Sequence, residues 1–238
     1  MKLLVINGNT DAAITDLVLR HARAALPRLG LSATLVGATA RFGARYIASR
    51  AASAIAGHAV LDALAEHLTP DTGAVVIACF GDPGLEAARE ISPVPVVAMA
   101  DASLRIAFRQ AGRVALITGG AAWVPMLQEF CLVRGHGPDR VSVLAVAPTG
   151  GMIAADPQGA IALLAQAARD AAADGAGAVV LGGAGLAGLA PRVAAASGVP
   201  VLDSLDCSLI AAFDAVAAPY GQPTPTVGLS PPLTALLG

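Results

Sequence analysis

Charges and aromatics are both scarce in this chain. Of 238 residues, 13% are Asp, Glu, Lys or Arg and 3% are Phe, Trp or Tyr. A net charge of −2 with scattered basic residues excludes the basic footprint that nucleic-acid binding requires. The low aromatic content argues against a large aryl pocket. Three cysteines, an odd number with no paired spacing, exclude a disulfide framework. They point to free thiols in a reducing compartment, with the cytoplasm as the expected location. No uninterrupted apolar run reaches the ~18 residues of a transmembrane helix, so no membrane partner is expected. The opening run Met1-Lys2-Leu3-Leu4-Val5-Ile6-Asn7 is too short for a signal-peptide core, and no cleavage site follows it. Gly-x-Ser-x-Gly, P-loop and Cys-x-x-Cys motifs are missing. His21, His58, His67 and His136 lack metal-ligand spacing, so no metal site is expected.

Apolar residues are abundant, at 55%, with alanine and glycine supplying much of the total. They fall in short runs that close on Gly, Asn, Asp or Pro and alternate with alanine-rich helical stretches. That alternation predicts a parallel α/β fold. Strands are expected near 3–6, 33–36, 75–78, 96–98, 114–118, 141–146, 179–181 and 201–202. Helices are expected near 12–25, 51–67, 83–90, 102–110, 124–134, 157–173, 188–196 and 207–217. The chain also repeats itself. Gly73-Ala-Val-Val-Ile-Ala-Cys79-Phe-Gly81 aligns with Gly177-Ala-Val-Val-Leu-Gly-Gly183-Ala-Gly185, and Val94-Pro95-Val96 with Val199-Pro200-Val201. Asp101-Ala-Ser103-Leu104 aligns with Asp206-Cys-Ser208-Leu209. Two pseudo-symmetric lobes follow, 1–100 and 101–212, each a four-stranded parallel sheet flanked by helices. The proline-rich tail, 213–238, is expected to pack back on the first lobe. Ligands of open parallel sheets sit beyond the carboxyl ends of the strands. A pseudo-twofold axis would bring the ends at 7–10, 79–81, 118–120 and 183–185 into one cleft, sized for a small-molecule substrate.

Cys79 closes an apolar run and precedes a helix expected to open at Asp82-Pro83. A helix N-terminus lowers a thiol's pKa and binds anions, so the pattern suits an acid/base or nucleophile. A small buried hydrophobe is the alternative. Asp82 and Glu86 are read as acids of that helix's first turn. Cys131 keeps helical spacing with Leu127 and Phe130 and is assigned to core packing. Cys207 opens the last helix of the second lobe and is a candidate second acid/base at the cleft rim. Asn9 and Thr10 either cap the following helix or hydrogen-bond a substrate carbonyl or carboxylate. Gly183-Ala-Gly185-Leu-Ala-Gly188, with Asp203 beyond it, spells a dinucleotide fingerprint. It lies on a late strand, and the repeat accounts for Gly185 and Gly188 as counterparts of Gly81 and Gly84. A tight strand-to-helix turn is the preferred reading. The sequence leaves oligomeric state open, with a homo-oligomer compatible.

Asn7-Gly8-Asn9-Thr10, Arg45-Tyr46-Ile47, Ala78-Cys79-Phe80-Gly81-Asp82-Pro83-Gly84-Leu85 and Leu181-Gly-Gly-Ala-Gly-Leu-Ala-Gly-Leu189 occur in this order along the chain. In that order they resemble the hydantoin and allantoin racemases of the aspartate/glutamate racemase superfamily. The resemblance spans nearly the whole chain. It implies two facing α/β lobes, no cofactor, and a cysteine from each lobe flanking the substrate's α-carbon. One thiol removes the α-proton and the other returns a proton on the opposite face. On this resemblance Cys79 is the catalytic thiol. Asn9, Thr10, Phe80, Gly81, Thr118, Gly183, Ala184 and Gly185 bind the oxyanion or the substrate's polar groups. The chain departs from the pattern at Gly183, where the second thiol should stand. Three readings follow: a racemase with Cys207, water or another group on the second face; a one-thiol enzyme; or a non-catalytic binder of a small carboxylate or ureide. The one-thiol case resembles arylmalonate decarboxylase with its thiol and glycine exchanged between lobes.

Overall fold

The structure is a computed structural model, and it describes residues 1–146, 156–216 and 230–237. Two parallel sheets carry the fold. The first has the order β2-β1-β3-β4, from β1 (Lys2–Asn7), β2 (Thr34–Thr39), β3 (Thr72–Ile77) and β4 (Val96–Ala98). The second has the order β6-β5-β7-β8, from β5 (Val114–Gly119), β6 (Val141–Val146), β7 (Ala178–Gly182) and β8 (Val201–Asp203). The repeat read in the sequence is therefore a repeat of sheet topology. Strands buried on both faces need no polar alternation, which is why they read as continuous apolar runs.

Helices α1 (Ala12–Arg28), α2 (Arg50–His67), α3 (Leu85–Ile91), α4 (Met99–Ala107) and α5 (Trp123–Val133) belong to the first two thirds of the chain. They are followed by α6 (Pro157–Ala173), α7 (Ala190–Ser197), α8 (Ser204–Ala215) and α9 (Pro231–Leu237). Leu4, Ile6, Val75 and Ile77 turn outward onto Val60 and Leu64 of α2 and Leu85 of α3. Ala115, Ile117 and Val179 turn outward onto Leu164 of α6 and Val193 of α7. The inward faces share a single core. Leu3, Val5 and Val76 of the first sheet join Leu116 and Val180 of the second through α1, α4, α5 and α8.

The helices α4 and α8 make that core continuous. They pack on each other, and each crosses to the other sheet: α4 against β7 and β8, α8 against β3 and β4. The division expected at residue 100 thus falls inside α4, and residues 204–212 lie on the first sheet. The tail forms a short helix that the sequence reading lacks. Leu233 of α9 is buried against α2, and Ser230 Oγ donates to Asp62 at 3.2 Å. Pro219, Pro223, Pro225 and the rest of 217–229, with Gly238, lie outside the described residues. Among the described residues no helix is long and apolar enough to cross a membrane.

Both crossing helices start three residues before their expected positions, because β4 and β8 run into them without a loop. A helix begun this way has bare N–H groups in an apolar core. Asp203, the last residue of β8, caps α8 through Leu205 N at 2.9 Å and also accepts from Gly188 N at 2.6 Å. Ala98, its counterpart, has no acceptor. Asp82 supplies one from the turn after β3, accepting from Ala100 N at 2.8 Å and Asp101 N at 2.7 Å. Each half therefore has a carboxylate strut between a cleft turn and a crossing helix, built from opposite ends. Burial raises the Asp82 carboxyl to about 7 and the Asp203 carboxyl to about 6, against the N–H donors that pull both down.

A group whose pKa is raised by folding binds its proton more tightly in the native state, so stability is greatest at low pH and is lost as pH rises through the folded value. The stability of wild type relative to D82N is therefore expected to grow as pH falls from 8 to 5. Chemical denaturation of both proteins at several pH values checks this, and a constant difference contradicts it. A second expectation concerns Gly182, where an added methyl would overlap the Phe80 ring. Gly182→Ala should lower stability by roughly 1–3 kcal/mol in urea unfolding.

Candidate active site

Four turns at the carboxyl ends of β1, β3, β5 and β7 meet between the lobes. Phe80, 3% exposed, lies against Gly182 at the end of β7. The Trp123 ring, from the first turn of α5, covers Gly81. Glycine at 81 and 182 is what lets these rings sit directly on backbone. The two aromatic contacts fix the Cys79 turn against both turns of the second sheet.

Cys79 is half-buried two residues beyond the end of β3. Here the structure corrects the sequence reading. Helix α3 begins at Leu85 and not at Pro83, and Gly84, with φ of 75°, stands at its N-cap without a side-chain cap. Asp82 is an N-terminal acid, but of α4. The helix start expected beside the thiol therefore lies further along the chain. Burial pushes it up to about 12, and the negative charge of Asp82 acts in the same direction. The shift is opposite in direction to the one expected from its position. Among the described residues Asp82 is the sole non-glycine residue with positive φ, at 52°. The strained conformation persists because its carboxylate is pinned by α4.

The other predicted site residues fall into three groups. Asn7, Asn9 and Thr10 form the β1 turn. The buried Asn7 amide donates to Asn9 Oδ1, Asp11 O and Thr15 Oγ1, and Asp11 N donates to the same Asn9 oxygen. With its oxygen held twice, Asn9 keeps its amide nitrogen available as a donor. Capping of α1 falls to Asp11. Thr118 is 3% exposed near the end of β5, and its hydroxyl makes no hydrogen bond among the described residues. The third group is the β7 turn. Gly183 N is taken by Ser204 Oγ at 3.4 Å, so its predicted oxyanion contact is already occupied. The N–H groups of Ala184 and Gly185 have no partner among the described residues, and neither do those of Phe80 and Gly81. The turns after β3 and β7 thus each offer two uncommitted donors.

Gly183 has φ of 126° and ψ of 144°, and a Cβ built there would meet nothing within 4 Å. Its face is open space, but its backbone suits glycine alone. Cys207 is not at a rim. It is 2% exposed inside the α4–α8 contact, paired with the Ser103 hydroxyl, and burial holds its thiol up at about 12. Cys131 is buried in the shared core, as expected. The fingerprint glycine Gly188 has φ of 79°, His21 of α1 fills the space beside it, and Asp203 is spent on its N–H. Those contacts account for the glycines and the acid as a tight turn.

One feature went unread. Residues 41–49, between β2 and α2, cross the open side of the cleft. Thr10 N donates to Ala44 O at 3.2 Å, Arg45 pairs with Asp11 at 3.0 Å, and Ile47 is buried in the shared core. Tyr46 reaches the second lobe and donates to Gly119 O at 3.3 Å. Arg50 then pairs with Glu129 of α5. The Arg45-Tyr46-Ile47 motif was the available signal, but its contacts are long-range and no spacing rule reveals them.

Comparison with known proteins agrees with this geometry. Residues 3–212 match the family described as Asp/Glu/Hydantoin racemase. A hydantoin racemase of Rhizobium meliloti is 38% identical over 150 residues, covering 62% of this chain and 61% of that protein. The hydantoin racemase of Paenarthrobacter aurescens is 32% identical over 228 residues, covering 92% and 93%. The crystal structure of allantoin racemase from Pseudomonas fluorescens superimposes with a TM-score of 0.85 at 28% identity, covering 97% of this chain and 100% of that one. An arylmalonate decarboxylase variant with one glycine-to-cysteine and one cysteine-to-serine substitution shares the fold alone, at a TM-score of 0.67 and 18% identity over 93% and 97%. The repeat, the two facing sheets and the match over nearly the whole chain have one common account: the chain belongs to the Asp/Glu/hydantoin racemase family.

Proposed function

We propose that this protein is a cofactor-independent racemase or isomerase of a carbon acid such as a hydantoin, allantoin or an amino acid, with Cys79 as the α-proton transfer group. The observation that carries the reading is the half-buried Cys79 thiol in a turn with two uncommitted N–H donors, held by Phe80 against the end of β7, whose turn offers two more. Removing an α-proton leaves an enolate, and preorganised donors aimed at its oxygen are worth several kcal/mol in such a site. Phe80, Gly81, Ala184 and Gly185 supply backbone donors. The Asn9 amide and the Thr10 and Thr118 hydroxyls supply side-chain donors. Cys79 serves one face of the α-carbon, and stereoinversion needs a second group on the other.

A specific observation favours a second reading. Gly183 faces open space where a thiol of the second lobe would stand. That space would accommodate a carboxylate leaving as CO₂ from a malonate-type acid, after which the Cys79 thiol protonates the enolate. A thiol at about 12 is already in the form this reaction uses. Proton abstraction uses the thiolate instead.

The two readings differ in pH dependence and product. Under the racemase reading, exchange of the α-proton in D₂O, followed by NMR, should rise up to tenfold per pH unit above neutrality, because thiolate accumulates only as pH approaches about 12. Under the decarboxylase reading CO₂ release from malonates should be flat over that range. Cys79→Ala should lower either rate by about 10²–10⁴-fold. Wild-type rates in the alanine variant would remove Cys79 from the mechanism.

A further inference from the structure

We infer that Tyr46 is the second catalytic acid/base, serving the face of the substrate left without a thiol by Gly183. The inference rests on the racemase reading above. Three observations place the phenol there. First, its hydroxyl donates to Gly119 O at 3.3 Å and lies 2.8 Å from where a Gly120 side chain would begin. Second, Thr118 and Gly182 are the last pair of β5 with β7, and 119 and 183 are the next residues along these adjacent strands. Adjacent strands lie about 4.8 Å apart, which puts the Tyr46 hydroxyl beside the thiol-free turn. Third, the placement is built. Ala44 is held to Thr10, Arg45 to Asp11 and Arg50 to Glu129, with Ile47 buried between them. The phenol is 60% exposed, so its proton exchanges with water.

The proton balance closes without any further reagent. One of the two groups starts deprotonated, having given its proton to water. When Tyr46 is the phenolate, its oxygen takes the α-proton. The C–H electron pair moves into the enolate held by the turn amides. The Cys79 S–H bond then breaks, delivering a proton to the opposite face and leaving a thiolate. The reverse direction starts from the thiolate. Each turnover exchanges the protonation states of sulfur and oxygen and inverts the α-carbon.

The test compares wild type, Y46F, C79A and Y46F/G183C, each with separate enantiomers of a 5-monosubstituted hydantoin and of allantoin. NMR in D₂O reads α-proton exchange, and chiral chromatography reads inversion. Y46F is expected to keep exchange with retention on the Cys79 face while inversion falls by about 10²–10⁴-fold. Adding a thiol at 183 should restore inversion to the phenylalanine variant, although φ of 126° at Gly183 will cost the double variant stability. Inversion by Y46F at the wild-type rate overturns the assignment. So does an equal loss of exchange and inversion, which marks a merely structural role. If Y46F does not fold, inversion by Y46W at the wild-type rate overturns the assignment, and selective loss of inversion sustains it. Failure of wild type to exchange any of these substrates, or full exchange by C79A, instead overturns the racemase reading itself.

Discussion

The fold depends on how two buried helix ends are capped. Strands β4 and β8 turn into α4 and α8 with no loop between, and both helices start in the shared core. Uncapped N–H groups there would cost more than one or two kcal/mol each. Asp203 solves this locally in the second half. In the first half Ala98 cannot, and Asp82 reaches across from the β3 turn. The turn that carries Cys79 is thereby anchored to the inside of the molecule at one end. Phe80 on Gly182 and Trp123 on Gly81 anchor it to the second lobe at the other. The Cys79 thiol sits in the middle of a segment held at both ends. The same carboxylate that fixes its position also disfavours its ionisation.

The halves are copies in topology and differ at the turns after β3 and β7. At 79 and 183 the repeat opposes a thiol to a glycine, and at 78 and 182 an alanine to a glycine. The second difference admits the Phe80 ring onto the carboxyl end of β7, while Trp123 of the second half lies on Gly81 of the first. The backbone at Gly183 has settled in a region closed to side chains, with φ of 126°. The glycine at 183 is therefore matched by its local conformation.

Much of this was legible in the sequence, for identifiable reasons. The strands were readable because strands buried on both faces appear as uniform apolar runs, and the repeat because both halves keep the same turn glycines. The starts of α3, α4 and α8 were misplaced because helix signals were sought in neighbouring residues. The cap of α4 comes from Asp82, far away in the chain, and the residue that looked like the cap of α3 is the one that does this. The same error inverted the expected shift of the Cys79 thiol. Cys207 looked accessible because it begins the last helix expected, yet that helix starts at Ser204 and carries Cys207 inward. The bridge from Ala44 to Arg50 depends on partners in both lobes and left only an unexplained motif.

The exchange of α4 and α8 between sheets has a consequence for how this protein comes into being. While the chain emerges from a ribosome, the first four strands are complete by residue 98, but the helix that covers the inner side of β3 and β4 ends at residue 215. Domains usually fold as units in order of synthesis. This one cannot finish its first half before nearly all of its second half exists. Part of the inner apolar face of its nascent N-terminal sheet, at β3 and β4, stays bare until α8 is made, and gene fission near the centre of the repeat would yield two fragments that each lack a wall.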